Sequence, residues 1–277
     1  MARKASIKSK REIELLREGG NILVNALLAA AKVAKQAPER TVSTQELNEL
    51  ADSFIREKGG EPSFYGYRAG VGEPGFPAAM CVSINDEIVH GIPKENRFLQ
   101  DGDLLKMDLG VKYKNLFTDA AFTVPIGKVT RKNLELMRAT RRGLELGLEQ
   151  IYPGSTLGDY GNAVEKYARS KGFSVVTGLV GHGVGYAVHE PPQIPNYGRP
   201  GEGLVLKEGM VIALEPMLNE YGSDIDVGDD GFAFITEDGG MSAHFEITVA
   251  VTKNGHQVLT NWMDKLNNEG RLSMRSD

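Results

Sequence analysis

Asp108 interrupts an apolar run of Leu104, Leu105, Met107, Leu109 and Val111, and Asp119 interrupts a second run of Thr118, Ala120, Ala121, Phe122 and Val124. A carboxylate placed in such a strand is buried, and a buried charge is costly unless something compensates it. The polar segment 112–115 lies midway between the two. If the runs pair as a hairpin about its centre, the aspartates become direct cross-strand neighbours on one face, roughly 4.5–5.5 Å apart at Cβ. Two readings are open. Either one aspartate serves a turn or cap while the other is salt-bridged, or both converge on a divalent cation, which takes several oxygens and is chelated by paired carboxylates.

The second half of the chain carries matching anomalies. Residues 210–214 are apolar and end at Glu215, and the run 245–251 carries Glu246 among Phe245, Ile247, Val249 and Val251. Period-two alternation puts His244, Glu246 and Thr248 on one face of that strand. Only five histidines are present, His90, His182, His189, His244 and His256, and four of them fall in these strand-and-loop segments. His182 stands between Gly181 and Gly183, where glycine permits close approach of backbone and ligand. Any one histidine also reads as an ordinary core or surface residue. Taken together, one imidazole and four carboxylates form a mixed nitrogen and oxygen set suited to two ions sharing bridging ligands.

Helices must hold these strands in place. Residues 10–35 have the apolar spacing of a long amphipathic helix, and a second helix starts at Ser43, which forms a capping box with Glu46 and runs to Lys58 and Gly59. The arrangement returns with a helix over 130–151, a cap at Ser155 and Thr156 with Asp159, and a helix stopping at Lys171 and Gly172. Each helix pair precedes a strand in which a carboxylate follows a glycine by six residues: Gly102 to Asp108 and Gly209 to Glu215. These correspondences imply an internal duplication, with halves at about 10–125 and 130–260 related by a pseudo-twofold axis after a short segment 1–10. The expected class is α+β, a largely antiparallel sheet with helices on its outer face. No Pro-, Ser- or charge-rich linker divides the halves, so 1–277 reads as one domain.

Composition narrows the function classes. A single cysteine, Cys81, excludes an intrachain disulfide scaffold and a zinc ribbon, and 41% hydrophobic with 25% charged residues is a globular balance. A net charge of −5 offers no general attraction to nucleic acid. The basic start with Arg3, Lys4, Lys8 and Lys10 is followed by Glu12, Glu14 and Glu18, and the apolar stretch after it is too short to span a bilayer, which takes about 20 residues. The expectation is a cytoplasmic protein with no membrane partner.

Five ordered motifs then carry a family resemblance. They are 81–85 (CVSIN) with 90–93 (HGIP), 102–108, 181–191 (GHGVGYAVHEP), 209–217 (GMVIALEPM) and 242–248 (SAHFEIT). The chain resembles the type I methionine aminopeptidases of the pita-bread metallopeptidases over about residues 13–259. The resemblance implies that Asp108, Asp119, His182, Glu215 and Glu246 ligate two divalent ions (Co, Mn, Fe, Zn or Ni). Asp119 and Glu246 would bridge, Asp108 would complete one site, and His182 with Glu215 the other. It implies removal of the N-terminal methionine from peptides and nascent chains with a small second residue, by a metal-bridging hydroxide attacking the peptide carbonyl. His90 and His189 would contact substrate and stabilise the tetrahedral intermediate, and Glu215 would shuttle the proton. The methionine pocket would fall on Phe64, Tyr67, Phe76, Cys81, Val188 and Phe232, each of which read alone is ordinary core. A monomer, with transient ribosome association as an option, is what the family offers for assembly and partners.

Three departures stand out. Residues 68–75 are extra, with Gly70, Gly72 and Gly75. Ile247 replaces a histidine common after the last glutamate, and Val188 stands where a bulkier aromatic is frequent. Rival readings are a proline-specific aminopeptidase or dipeptidase of the same fold, usually with a large extra N-terminal domain, and a non-catalytic binding module, which would have lost ligands.

Overall fold

The structure is a computed structural model that describes residues 5–68, 70 and 72–268. Met1–Lys4 of the N-terminal segment and Ala69 and Val71 of the extra loop lie outside the described residues. Four long helices form two pairs, α1 (Lys10–Ala34) with α2 (Thr44–Glu57) and α3 (Arg131–Leu148) with α4 (Leu157–Ser170). Ser9 caps α1 in a reciprocal box with Glu12, and Thr156 does the same for α4 with Asp159. At α2 the box is half formed. Ser43 accepts from the Glu46 amide, but the Glu46 carboxylate turns to Arg40 at 2.6 Å. Lys58 and Lys171 close α2 and α4, and each is followed by a glycine at positive φ, Gly59 and Gly172.

Among the described residues every strand pairing is antiparallel, and the strands divide into four sheets. The first half supplies a four-stranded sheet in which Leu104–Tyr113 pairs with Glu61–Pro62, Met80–Ile84 and Leu116–Pro125. The second half supplies a five-stranded sheet ordered Gly255–Val258, Ile247–Thr252, Val211–Leu214, Gly181–Gly183 and Glu190–Ile194. Two three-stranded ladders complete the set, and one of them joins the halves by pairing Phe234–Thr236 with Glu87–Val89. Helix α1 packs on the strands Leu104–Tyr113 and Leu116–Pro125, and α3 packs on α4. Leu23, Leu27, Met107, Leu109, Phe122 and Trp262 share one buried core with Leu144, Val164, Leu214 and Phe245, so apolar contact runs through both halves.

The strand expected over 245–251 is shorter. Ser242–His244 belongs to one ladder and Ile247–Thr252 to another, with Phe245 and Glu246 at the crossing. There the second half runs beside the first. The Glu246 amide donates to the Ala121 carbonyl at 2.7 Å, Thr248 Oγ1 accepts from the Asp119 amide at 3.0 Å, and Thr123 Oγ1 donates to the His244 carbonyl at 2.7 Å. Lys106, 1% exposed, adds a staple by donating to the carbonyls of Asn85 and Ser242 at 2.7 and 3.1 Å, and burial pushes its ammonium down to about 7.

Gly20 marks a tight approach of α1 to the chain near Leu259. A Cβ there would lie 2.3 Å from the Leu259 carbonyl oxygen and 3.0 Å from Thr260 Cγ2. Alanine is the better helix former, so on an exposed face Gly→Ala stabilises. Here the backbone clash decides the sign, and Gly20→Ala is expected to destabilise by about 1–3 kcal/mol. Chemical denaturation of the two proteins measures it, and a stabilised variant would refute the contact.

Candidate metal centre and substrate cavity

The two aspartates meet on one face, but in a different register from the one expected. Asp119 pairs with Gly110 and Asp108 with Ala121, so the carboxylates are diagonal rather than direct neighbours. The cause is the turn. Strand pairing continues to Tyr113 and Leu116, leaving a two-residue turn in which Lys114 and Asn115 have φ of 50° and 63°. Positive φ at both positions is the turn whose twist matches paired strands, and asparagine tolerates it well. The centre therefore moves one residue along, and because the side-chain period is two, the aspartates keep their shared face.

The other residues arrive at strand ends. His182 is central in Gly181–Gly183, Glu215 follows Val211–Leu214, and Glu246 precedes Ile247–Thr252. His182 Nε2 lies 3.4 Å from Glu215 Oε1 and 4.0 Å from Asp119 Oδ2. Ligand atoms of Asp119, His182 and Glu246 all fall within 4.8 Å of one another, and Asp108 and Glu215 line the same cavity.

Burial makes this arrangement untenable as bare charge. It raises Asp108 to about 7 and lifts Asp119, Glu215 and Glu246 well above the ordinary carboxylate range, with their mutual repulsion adding to the effect. Asp108 Oδ1, Asp119 Oδ1 and Glu246 Oε1 are buried with no hydrogen-bond partner. His182 Nδ1 faces the Gly183 carbonyl at 2.9 Å. A carbonyl only accepts, so Nδ1 carries the proton and Nε2 turns a lone pair toward the carboxylates. Burial lowers this imidazole to about 3, which keeps it neutral. A lone pair, four carboxylates and three unpartnered oxygens at one point are a donor set for hard or borderline divalent cations, so the residues fit a metal.

Above the cluster opens a cavity of about 500 Å³, within the ordinary range for small-molecule sites. Phe64, Tyr67, Phe76, Cys81 and Phe232 line it, as do His90 and His189. Val188 does not. It packs behind the wall against a cluster containing Phe64, Phe76 and Cys81. Phe76 and Phe232 meet edge to face at 5.7 Å. Burial pushes the Cys81 thiol well up, with the Asp108 charge adding to it, so it is a wall and not a nucleophile. Glu73 and Pro74 of the extra loop also reach the cavity.

His90 has a φ of 61°, a conformation that non-glycine residues seldom adopt outside functional sites. Its ring packs on Phe234 at 5.6 Å, and burial lowers it to about 4. The His189 ring contacts the His182 ring at 4.3 Å, its Nδ1 pairs with the Tyr67 hydroxyl, and burial lowers its basicity too. Both imidazoles are neutral near pH 7.

His244 was seen in the sequence but given no part in the site. It is 1% exposed, neither ring nitrogen has a hydrogen-bond partner, and Nε2 lies 3.8 Å from Glu215 Oε2. Alternation placed it on the face of Glu246, yet the strand breaks between them. Its approach to Glu215 comes from the Met217–His244 pairing of separate strands, which no local pattern reveals.

Comparison with known proteins agrees with this geometry. The sequence profile of metallopeptidase family M24 matches residues 14–253. The chain belongs to that family. A methionine aminopeptidase of Clostridium perfringens is 39% identical over 254 residues, 92% of this chain and 98% of the relative. Methionine aminopeptidase 1 of Bacillus subtilis is 40% identical over 253 residues, 91% of this chain and 98% of the relative. The crystal structure of a Thermotoga maritima methionine aminopeptidase matches with a TM-score of 0.88 at 38% identity, over 93% of this chain and 99% of that one. The prolidase of Pyrococcus furiosus, at 24% identity and a TM-score of 0.71 over 92% of this chain and 65% of that one, shows the shared fold alone. The pita-bread fold and the bacterial methionine aminopeptidase resemblance are thus borne out, and an M24 metallopeptidase uses divalent metal.

The raised carboxylates give the metal-free protein a distinct pH dependence. Folded, the cluster holds protons that the unfolded chain has released, so it contributes stability in mild acid that is lost as pH rises through the raised folded values, about 7 for Asp108. Above the ordinary histidine value of 6.5 the buried imidazoles are neutral folded or unfolded and drop out. Lys106 opposes with a single proton. Cations replace the cluster's protons. The rise in unfolding temperature on adding manganese is therefore expected to be larger near pH 8 than near pH 6.5; scanning calorimetry showing the reverse would remove the cation from this site.

Proposed function

We propose that this methionyl aminopeptidase removes the N-terminal methionine from peptides and nascent chains, preferring a small second residue, with two divalent ions held by Asp108, Asp119, His182, Glu215 and Glu246. The observation that carries the reading is the convergence of those five side chains, three of them with unpartnered oxygens, on the lining of one largely apolar cavity. Ions bound there would act as Lewis acids toward the substrate's amine and scissile carbonyl and would lower the pKa of a water.

The protein's own groups supply the rest. Phe64, Tyr67, Phe76, Cys81 and Phe232 offer a dry, aromatic surface suited to an unbranched thioether side chain. His90 and His189, neutral through burial, each have an N–H to donate to oxygen as negative charge develops on it. Tyr67 holds one face of the His189 ring and so limits its rotation. Glu215, whose carboxyl burial lifts well above its usual range, would shuttle the proton.

The chain is read as one catalytic domain acting in the cytoplasm as a monomer, with transient ribosome contact as an option. No helix among the described residues is long and apolar enough to cross a membrane. Incubation with manganese or cobalt and two substrates, Met-Gly-Met-Met and an Ala-Pro peptide, tests the activity. Methionine release is expected, whereas alanine release would move the chain to proline-specific chemistry, and neither product with no bound metal would make it a binding module. Asp119→Ala should reduce kcat at least about a thousandfold and lower metal content measured by atomic emission. A fully active, fully loaded Asp119→Ala protein would refute the site.

A further inference from the structure

We propose that an ion pair between buried Lys8 and partly buried Glu190 clamps the loop 185–190 and thereby positions His189 in the cavity. The proposal rests on the reading of His189 as a substrate-contacting residue. Glu190 opens the strand Glu190–Ile194, and successive side chains in extended chain point to opposite faces. His189 lines the cavity, and Glu190 instead meets the segment before α1.

The contacts there are dense. Lys8 is 3% exposed, and its Nζ donates to Glu190 Oε2 at 2.9 Å. Ser6 Oγ donates to the same oxygen. Glu190 Oε1 accepts from the Ala187 amide at 3.1 Å and from the Tyr186 amide, so one carboxylate folds its own loop back and ties it to the N-terminal segment. That segment is anchored in turn, because the Lys8 amide donates to the Gly209 carbonyl at 2.7 Å. Lys8 Nζ also sits 5.0 Å from the Tyr186 ring centroid, and the Tyr186 hydroxyl donates to Glu12 Oε1 at 2.9 Å. Gly185 fits beneath the lysine: its φ is 137°, and a Cβ there would lie 2.4 Å from Lys8 Cε.

Breaking a buried pair by removing one partner leaves the other charge uncompensated, and the loop must rearrange to hydrate it. Such a rearrangement turns the backbone that aims His189. Displacing a reacting group by about 1 Å costs on the order of a hundredfold in rate. Substrate affinity set by the aromatic wall, on other segments, is left largely in place.

The experiment uses the full-length, zinc-loaded protein and the variants Lys8→Met, Glu190→Gln, their double and His189→Ala, all assayed below their unfolding temperatures. Glu190→Gln keeps an oxygen for the loop amides and guards against a misfolded lysine variant. Expected are a fall in kcat of about tenfold or more with KM changed little, and a double variant no slower than the slower single one. Nitrogen-15 spectra of the histidine rings should show His189 shifted or broadened, with His256 unmoved. His189 signals at wild-type positions in both single variants, or an unchanged kcat, would overturn the clamp. Wild-type turnover by His189→Ala would instead remove the catalytic reading of His189, and the ring spectra alone would then decide the clamp.

Discussion

Mutual repulsion among buried carboxylates is the constraint around which the molecule is built. Asp108, Asp119, Glu215 and Glu246 come from both halves; burial pushes each toward its protonated form, and neighbouring carboxylates add to this for Asp119, Glu215 and Glu246. The fully buried cation on the strand of Asp108 does not answer them, because Lys106 gives its protons to two backbone carbonyls. A fold that gathers such charges must be held by other means. The contacts across the seam use main-chain groups and threonine hydroxyls: Ala121 with Glu246, Asp119 with Thr248, and Thr123 with His244; the Trp262 indole holds the Glu246 carbonyl from the same side at 2.7 Å. These hold the acidic residues by their backbones and leave carboxylate oxygens free for cations.

The same burial that raises the acids silences the bases. His90, His182 and His244 are all lowered to about 3 or 4, so near pH 7 they are neutral. Neutrality suits different tasks in different rings. His182, with its Nδ1 against a carbonyl, presents a lone pair to the cluster, whereas His90 and His189 stand on the cavity wall. One physical effect, loss of water, thus raises the acids and neutralises the bases, and at His182 a hydrogen bond decides which nitrogen carries the proton.

Much of the site was legible because burial and charge conflict in one dimension of sequence. Asp108 and Asp119 stood out inside apolar runs, Glu215 at the end of another, and His182 between glycines. The helix caps at Ser43 and Thr156 obey short-range rules, which helped the paired helices and the duplicated pattern to be read. The errors share a cause as well. Hairpin register depended on the left-handed conformation of Lys114 and Asn115, the half-formed box at Ser43 on a rival arginine, and the break before Ile247 on two ladders claiming neighbouring segments. In each case a contact from elsewhere outcompeted the local pattern.

Sequence by itself determined which residues are chemically out of place, because a carboxylate among apolar neighbours announces a cost whatever the fold. It also determined the helix ends, since a capping side chain reaches only three residues along. Tertiary structure alone decided that His244 stands 3.8 Å from Glu215, that Val188 lies behind the cavity wall, and that Glu190 is tied to Lys8 across 182 positions of chain. Those relations are set by how two halves close on each other, and a closure between distant segments leaves no periodicity to read.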